Sequence, residues 1–157
     1  MGDWSVPEEV SRVEICGFTG SNTYLNEIIT GNGNNTKGSY LEVCASTIFY
    51  SSEMVIFLML AVANGQDYLV DLAVGAAGSE VDIVSNLLMT RVSNDSEALG
   101  SHIPLPIGVP AGTRLSMRAQ AKTLSNAHLS AGVHLFGGSM SQGDNKCVTY
   151  GANTADS

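Results

Sequence analysis

The chain has 157 residues, 44% hydrophobic and only 14% charged, with fifteen acidic against seven basic residues and a net charge of −8. That length fits one domain and buries roughly two-thirds of its unfolded surface, enough for a core that needs no staples. The acidic balance, with no Lys/Arg cluster to offset it, excludes the concentrated cations that phosphate binding needs, so no nucleic-acid partner is expected.

Residues 1–20 read as an extended N-terminal arm. Asp3, Glu8 and Glu9 stand where a signal peptide would need a basic and then an apolar run, so synthesis in the cytoplasm is expected. Trp4 is the only tryptophan; with Val6 and Pro7 it forms the expected contact with a neighbouring subunit. Further on, Val13 and Ile15 alternate against Arg12 and Glu14, a pattern that fits an extended edge equally well. Gly20 to Gly38 is rich in Gly, Asn and Thr and reads as a turn or long loop.

Ser39–Tyr50 and Met54–Ala63 are two apolar strands joined at Ser51-Ser52. The second run is about half the ~20 residues of a membrane helix, and no membrane partner is expected. A strand from Asp67 leads into Gly75-Ala76-Ala77-Gly78-Ser79, a turn lacking the lysine of a phosphate loop. Val81 and Ile83 then face opposite to Glu80 and Asp82. Ser93–Ser101 is a polar loop, and Pro104, Pro106 and Pro110 nearly exclude helix.

Pro110-Ala111-Gly112-Thr113 is turn chemistry. After it Arg114, Ser116, Arg118 and Gln120 share one strand face, and Leu115, Met117 and Ala119 the other. His128–Phe136 alternates again, with Leu129, Ala131, Val133 and Leu135 inward. Residues 137–157 form a tail in which Lys146–Tyr150 is a possible last short strand.

Turn signals every dozen or so residues, with hardly any helical period, predict an all-β chain. The expected architecture is a jelly-roll-like antiparallel β-sandwich of about eight strands over residues 21–136, because folding two sheets face to face handles edge strands. An immunoglobulin-like sandwich is the second choice.

The chain is expected to be non-enzymatic, with no catalytic, cofactor or metal site. Gly137-Gly138-Ser139-Met140-Ser141 misses the nucleophile-elbow pattern at its last position. Cys16, Cys44 and Cys147 are odd in number with no Cys-x-x-Cys spacing, so buried free thiols are expected. His128 and His134 lie six residues apart, roughly 20 Å along a strand, too far to share an ion bound at ~2 Å. The carboxylates Asp67, Asp71, Glu80 and Asp82 read as a solvated edge.

Asp67–Ala121 resembles a module of tailed-phage virion proteins. In that module a strand ending V-D-x-x-x-G-x-x-G-x-E leads to an I-x-x-N-L segment and then to a P-x-G-T-R strand. The matching residues are Val70, Asp71, Gly75, Gly78, Glu80, Ile83, Asn86, Leu87, Pro110, Gly112, Thr113 and Arg114. The resemblance implies a β-sandwich in a virus particle. With the acidic charge it implies a capsid decoration (cement) protein on the outer capsid surface, partnered by the major capsid protein and by itself, most simply as a homotrimer. A tail or baseplate component and a carbohydrate-binding host-attachment module are the alternatives. Asp71 and Arg114 both belong to the module, and an Asp71–Arg114 bond is expected to fix the register of neighbouring strands.

Overall fold

In the computed structural model, residues 12–17, 26–60, 67–90, 101–123, 127–137 and 147–148 are described. They form ten strands: β1 (Arg12–Cys16), β2 (Asn26–Ile29), β3 (Leu41–Cys44), β4 (Glu53–Leu60), β5 (Asp67–Val74), β6 (Val81–Thr90), β7 (Ser101–Leu105), β8 (Leu115–Ala121), β9 (His128–Gly137) and β10 (Cys147–Val148). The first sheet runs β1-β9-β4-β7, with β2 also paired to β9; the second runs β10-β6-β5-β8-β3.

The chain therefore changes sheets at nearly every step. Leaving out the short β2 and β10, the eight remaining strands make two four-stranded sheets, ordered β1-β9-β4-β7 and β3-β8-β5-β6. That is the double Greek key of a jelly roll, and it displaces the immunoglobulin-like alternative. Every pairing is antiparallel except that of β10 with β6. Residues 12–16, part of the expected arm, are a sheet strand: Val13 pairs with Phe136 and Ile15 with His134.

The core lies between the sheets. Met54 and Ile56 of β4 and Leu129, Val133 and Leu135 of β9 meet Tyr68, Val70 and Leu72 of β5 and Leu115 and Met117 of β8, all essentially inaccessible. The alternation read in 128–136 is the alternation observed, whereas in 115–121 every residue but Arg118 is buried, because the outer face of this strand is covered as well. At roughly 25 cal/mol per Å² of apolar area removed from water, this interior supplies the main folding force.

The turns that join the sheets are locked by specific groups. Gly112 adopts φ +77, which only glycine takes readily. Its N–H donates to the Thr47 carbonyl, while the Thr47 hydroxyl bonds the Pro110 carbonyl and accepts from the Thr113 N–H. The Pro-Ala-Gly-Thr turn is thus clamped by the loop between β3 and β4.

Candidate functional site

Beyond the shared core, each sheet has a second face, and the two differ in polarity. On the second sheet this outer face carries Asp71 of β5 and Arg118 of β8, directly opposite each other in the register. Val70 pairs with Leu87 and Leu72 with Val84, so Asp71 confronts two residues of β6, Ser85 and Asn86, at a bulge. Asn86 takes φ +55 there, a conformation asparagine tolerates better than most residues.

The bulge turns the Asn86 N–H onto Asp71 Oδ1 at 2.8 Å. Lys37 Nζ donates to the same oxygen at 2.6 Å and to Asn86 Oδ1 at 2.8 Å. Arg118 Nε donates to Asp71 Oδ2 at 2.7 Å, and its Nη2 reaches Asp82 at 3.2 Å. Tyr40 donates its hydroxyl to Asp82 and lies under the Arg118 guanidinium, 4.4 Å from ring centroid to cation. Burial, and then the bond to Asp82, push the Tyr40 hydroxyl up, so it remains a donor.

Asp71 is only 2% exposed. Burial alone would raise its carboxyl, but the Asn86 N–H, Lys37 and Arg118 outweigh burial and hold it below the usual carboxylate range. The cover comes from the segment before β3. The N–H groups of Asn35 and Gly38 bond the carbonyls of Ala121 and Ala119, so the segment continues along β8 beyond β3. Gly38 permits this path, since a Cβ there would sit 2.0 Å from the Ile29 carbonyl oxygen. Between this segment and β2 lies a groove of about 570 Å³ lined by Glu27, Ile29, Thr30, Lys37, Tyr40 and Leu41 among others.

Two expectations are corrected here. Asp71 does not bond Arg114, because the β5–β8 register sets Asp71 against Arg118 and carries Arg114 beyond the Val74–Leu115 pair. Arg114 instead donates to Glu42 at 2.7 Å, to Glu80 at 3.3 Å and to the Gly75 carbonyl at 3.1 Å. Glu80 also accepts the Gly78 N–H, closing a turn in which Gly75 and Gly78 have φ +112 and +82. Nor are the carboxylates a solvated edge, for Arg118 draws Asp71 and Asp82 into one cluster. Asp67 stands apart, 4.0 Å from Lys122. Nearly every polar or glycine position of the phage-like motif thus holds a turn, a bulge or a register on this face.

The first sheet reverses the pattern. On β1, Glu14 and Cys16 turn inward while Val13 and Ile15 stand 53% and 56% exposed. Ile15, His134, Val55 and Pro104 form one row across four strands. Phe136 lies beside Val13. Phe57 packs edge-on against His102, centroids 4.4 Å apart, and parallel to His134 at 6.0 Å. An apolar band with two histidines therefore crosses the outer surface of the sheet. His128, further along β9, pairs with Glu27 at 2.9 Å.

Sequence periodicity marked β1 as alternating but could not assign its sides. Lys37 and Tyr40 escape a sequence reading and Asn86 stands out only as a module position without a role, because a loop lysine and a bulged asparagine carry no periodic signal. Trp4, Val6 and Pro7 lie outside the described residues.

No family model matches the chain, and no curated protein matches it. Among solved structures it is similar to a chain in the structure of infectious bursal disease virus Gx strain, with TM-score 0.43 and 10% identity over 83% of this chain and 33% of that one. A chain of T=1 particles derived from the same virus gives 0.39 and 9%, over 86% and 33%. A mutant VP2 protein of that virus, also in derived T=1 particles, gives 0.36 and 8%, over 87% and 34%. The chain spans about a third of the length of each.

Proposed function

We propose that this chain is a non-enzymatic structural protein of a virus particle, most specifically a capsid decoration protein that docks on the major capsid protein at the outer capsid surface. The observation that carries the reading is the apolar band on the outer side of the first sheet, exposed at Val13 and Ile15 and half-buried at Phe136, Val55 and Phe57, on a domain whose Asp71 cluster on the other sheet is covered by its own chain. An apolar strand face of this kind fits a protein surface, and the net charge of −8 keeps the domain away from packaged DNA. The sequence resemblance to tailed-phage virion modules supplies the particle.

Each copy would add an interface of roughly 800 Å² per partner, ordinary for specific association, and a homotrimer would multiply it. The arm with Trp4, Val6 and Pro7 precedes β1 in the sequence and is proposed to extend that contact. Deleting residues 1–11, which leaves β1 intact, should preserve folding and weaken attachment.

The test is to strip the protein from particles and compare them with decorated ones. Decorated particles should retain DNA to higher temperature, and images should place the domain on the shell. Equal thermal release would overturn the cement role, and density on the tail would favour a baseplate component. A glycan-array hit abolished by Tyr40→Ala, which alters the groove beside β2, would favour the host-attachment alternative.

A further inference from the structure

Where the edge strands β1 and β3 of the two sheets approach each other, Glu14, Cys16 and Cys44 bring one carboxylate oxygen and two sulfurs to within 4.8 Å of one another. In the sequence Cys16 and Cys44 are separate thiols; the fold makes them neighbours. Cys16 is buried and Cys44 half-buried. A register shift between Glu42 and Cys44 lets Val43 and Cys44 both pack on the core, which strict alternation would forbid.

The third group is oriented. Glu14 Oε2 accepts the Ile48 N–H at 2.8 Å, leaving Oε1 toward the sulfurs, 3.8 Å from Cys44 Sγ. Such a backbone bond fixes a ligating carboxylate as outer-shell partners commonly do. On a tetrahedral zinc, with bonds of about 2.0–2.3 Å, the donor atoms stand about 3.5–3.8 Å apart. The Glu14–Cys44 pair, at 3.8 Å, already has that spacing, and the remaining pairs lie within 4.8 Å. Two thiolates and one carboxylate would carry three negative charges, more than neutralising a divalent cation, and would leave a fourth position for water.

We propose that Glu14, Cys16 and Cys44 form a binding site for a thiophilic divalent cation of the zinc class, which staples the two sheets at their β1–β3 edge. Without the cation, burial, and then Cys44 and Glu14, push the Cys16 thiol up and keep it protonated, so binding must displace thiol protons. Cys147 takes no part: β10 lies at the opposite edge of the second sheet, four strand spacings or roughly 19 Å from β3.

The full-length protein, reduced and freed of metal, should take up one equivalent of Co²⁺ with a thiolate-to-metal charge-transfer band, and Zn²⁺ should bleach it. Zn²⁺ alone should also raise the unfolding temperature, because it binds only the folded arrangement. Cys16→Ser and Cys44→Ser should each abolish the band, and Glu14→Gln should weaken binding about tenfold or more. Cys147→Ser should leave it unchanged. Cys44 is half-buried, so its serine variant is the safeguard should Cys16→Ser fail to fold. Absence of the band, or its survival in Cys44→Ser, would overturn the proposal. So would a Cys16–Cys44 disulfide in the protein as isolated from cells, seen as a mass lower by two hydrogens with both thiols blocked to alkylation.

Discussion

The outer faces of the two sheets obey the same two-residue period and give it opposite meanings. On the second sheet the side chains opposite the core include Asp71, Ser116, Arg118 and Gln120, polar by sequence yet largely buried beside Leu69 and Ala73. On the first they are Val13, Ile15, Val55 and Phe57, apolar by sequence yet reached by solvent. Alternation tells which residues share a face; it does not tell which face meets water. The chain closes the polar face itself, with the segment before β3, and satisfies each charge there. On the apolar face Val13 and Ile15 stay open to solvent.

Breaking the closed face should cost most. Asp71→Ala removes the acceptor shared by Lys37, Arg118 and the Asn86 N–H. Because both cations are partly exposed and can regain water, the loss should fall near the low end for a buried pair, about 3 kcal/mol in denaturant unfolding. A loss under 0.5 kcal/mol, within the range of an ordinary surface substitution, would mean the cluster only decorates the sheet.

Gly38→Ala tests the cover rather than the charges. Its Cβ would meet the Ile29 carbonyl at 2.0 Å, so the segment must move. The expected destabilisation is about 1–3 kcal/mol, with faster amide exchange at Asn35 and Gly38. Unchanged exchange would show that the segment does not depend on this crossing.

The same cluster sets a pH signature. The Asp71 carboxyl is depressed in the folded state, so its contribution is fully present above the unfolded value of about 3.9 and is lost as pH falls through the lower folded value. Unfolding midpoints should therefore hold level from neutrality to about pH 4 and drop below it. Asp71→Asn should flatten that drop, and an unaltered acid limb would assign it to other carboxylates. The smallest effect is expected of Arg114→Ala, which unties Glu42 and the Gly75–Glu80 turn in partly exposed surroundings, at no more than about 1 kcal/mol.

The legible parts of the sequence were those with a local cause. Leu115–Ala121 and His128–Phe136 showed their faces because alternation is printed in consecutive residues. Pro110–Thr113 showed its turn because Pro and Gly constrain φ within four residues. The jelly roll followed from strand count and turn spacing. Asp71's partner was not legible, since Arg114 and Arg118 lie on the same strand face and only the register across β5 and β8 chooses between them. The Asn86 bulge shifts that register on the other side of β5 without a periodic signal. Cys16 and Cys44 meet only because the topology sets β1 beside β3.

The central claim is that the first sheet's apolar face docks on the particle. Its most direct measurement is the occupancy on stripped particles of the double variant Val13→Asp, Ile15→Asp, quantified beside its unfolding midpoint. Both side chains are exposed on an edge strand, so stability should change by no more than about 0.5 kcal/mol per substitution, while attachment should be lost, since two carboxylates would be buried unpaired at the contact. Wild-type occupancy by a folded double variant would contradict the account and move the docking surface elsewhere on the domain.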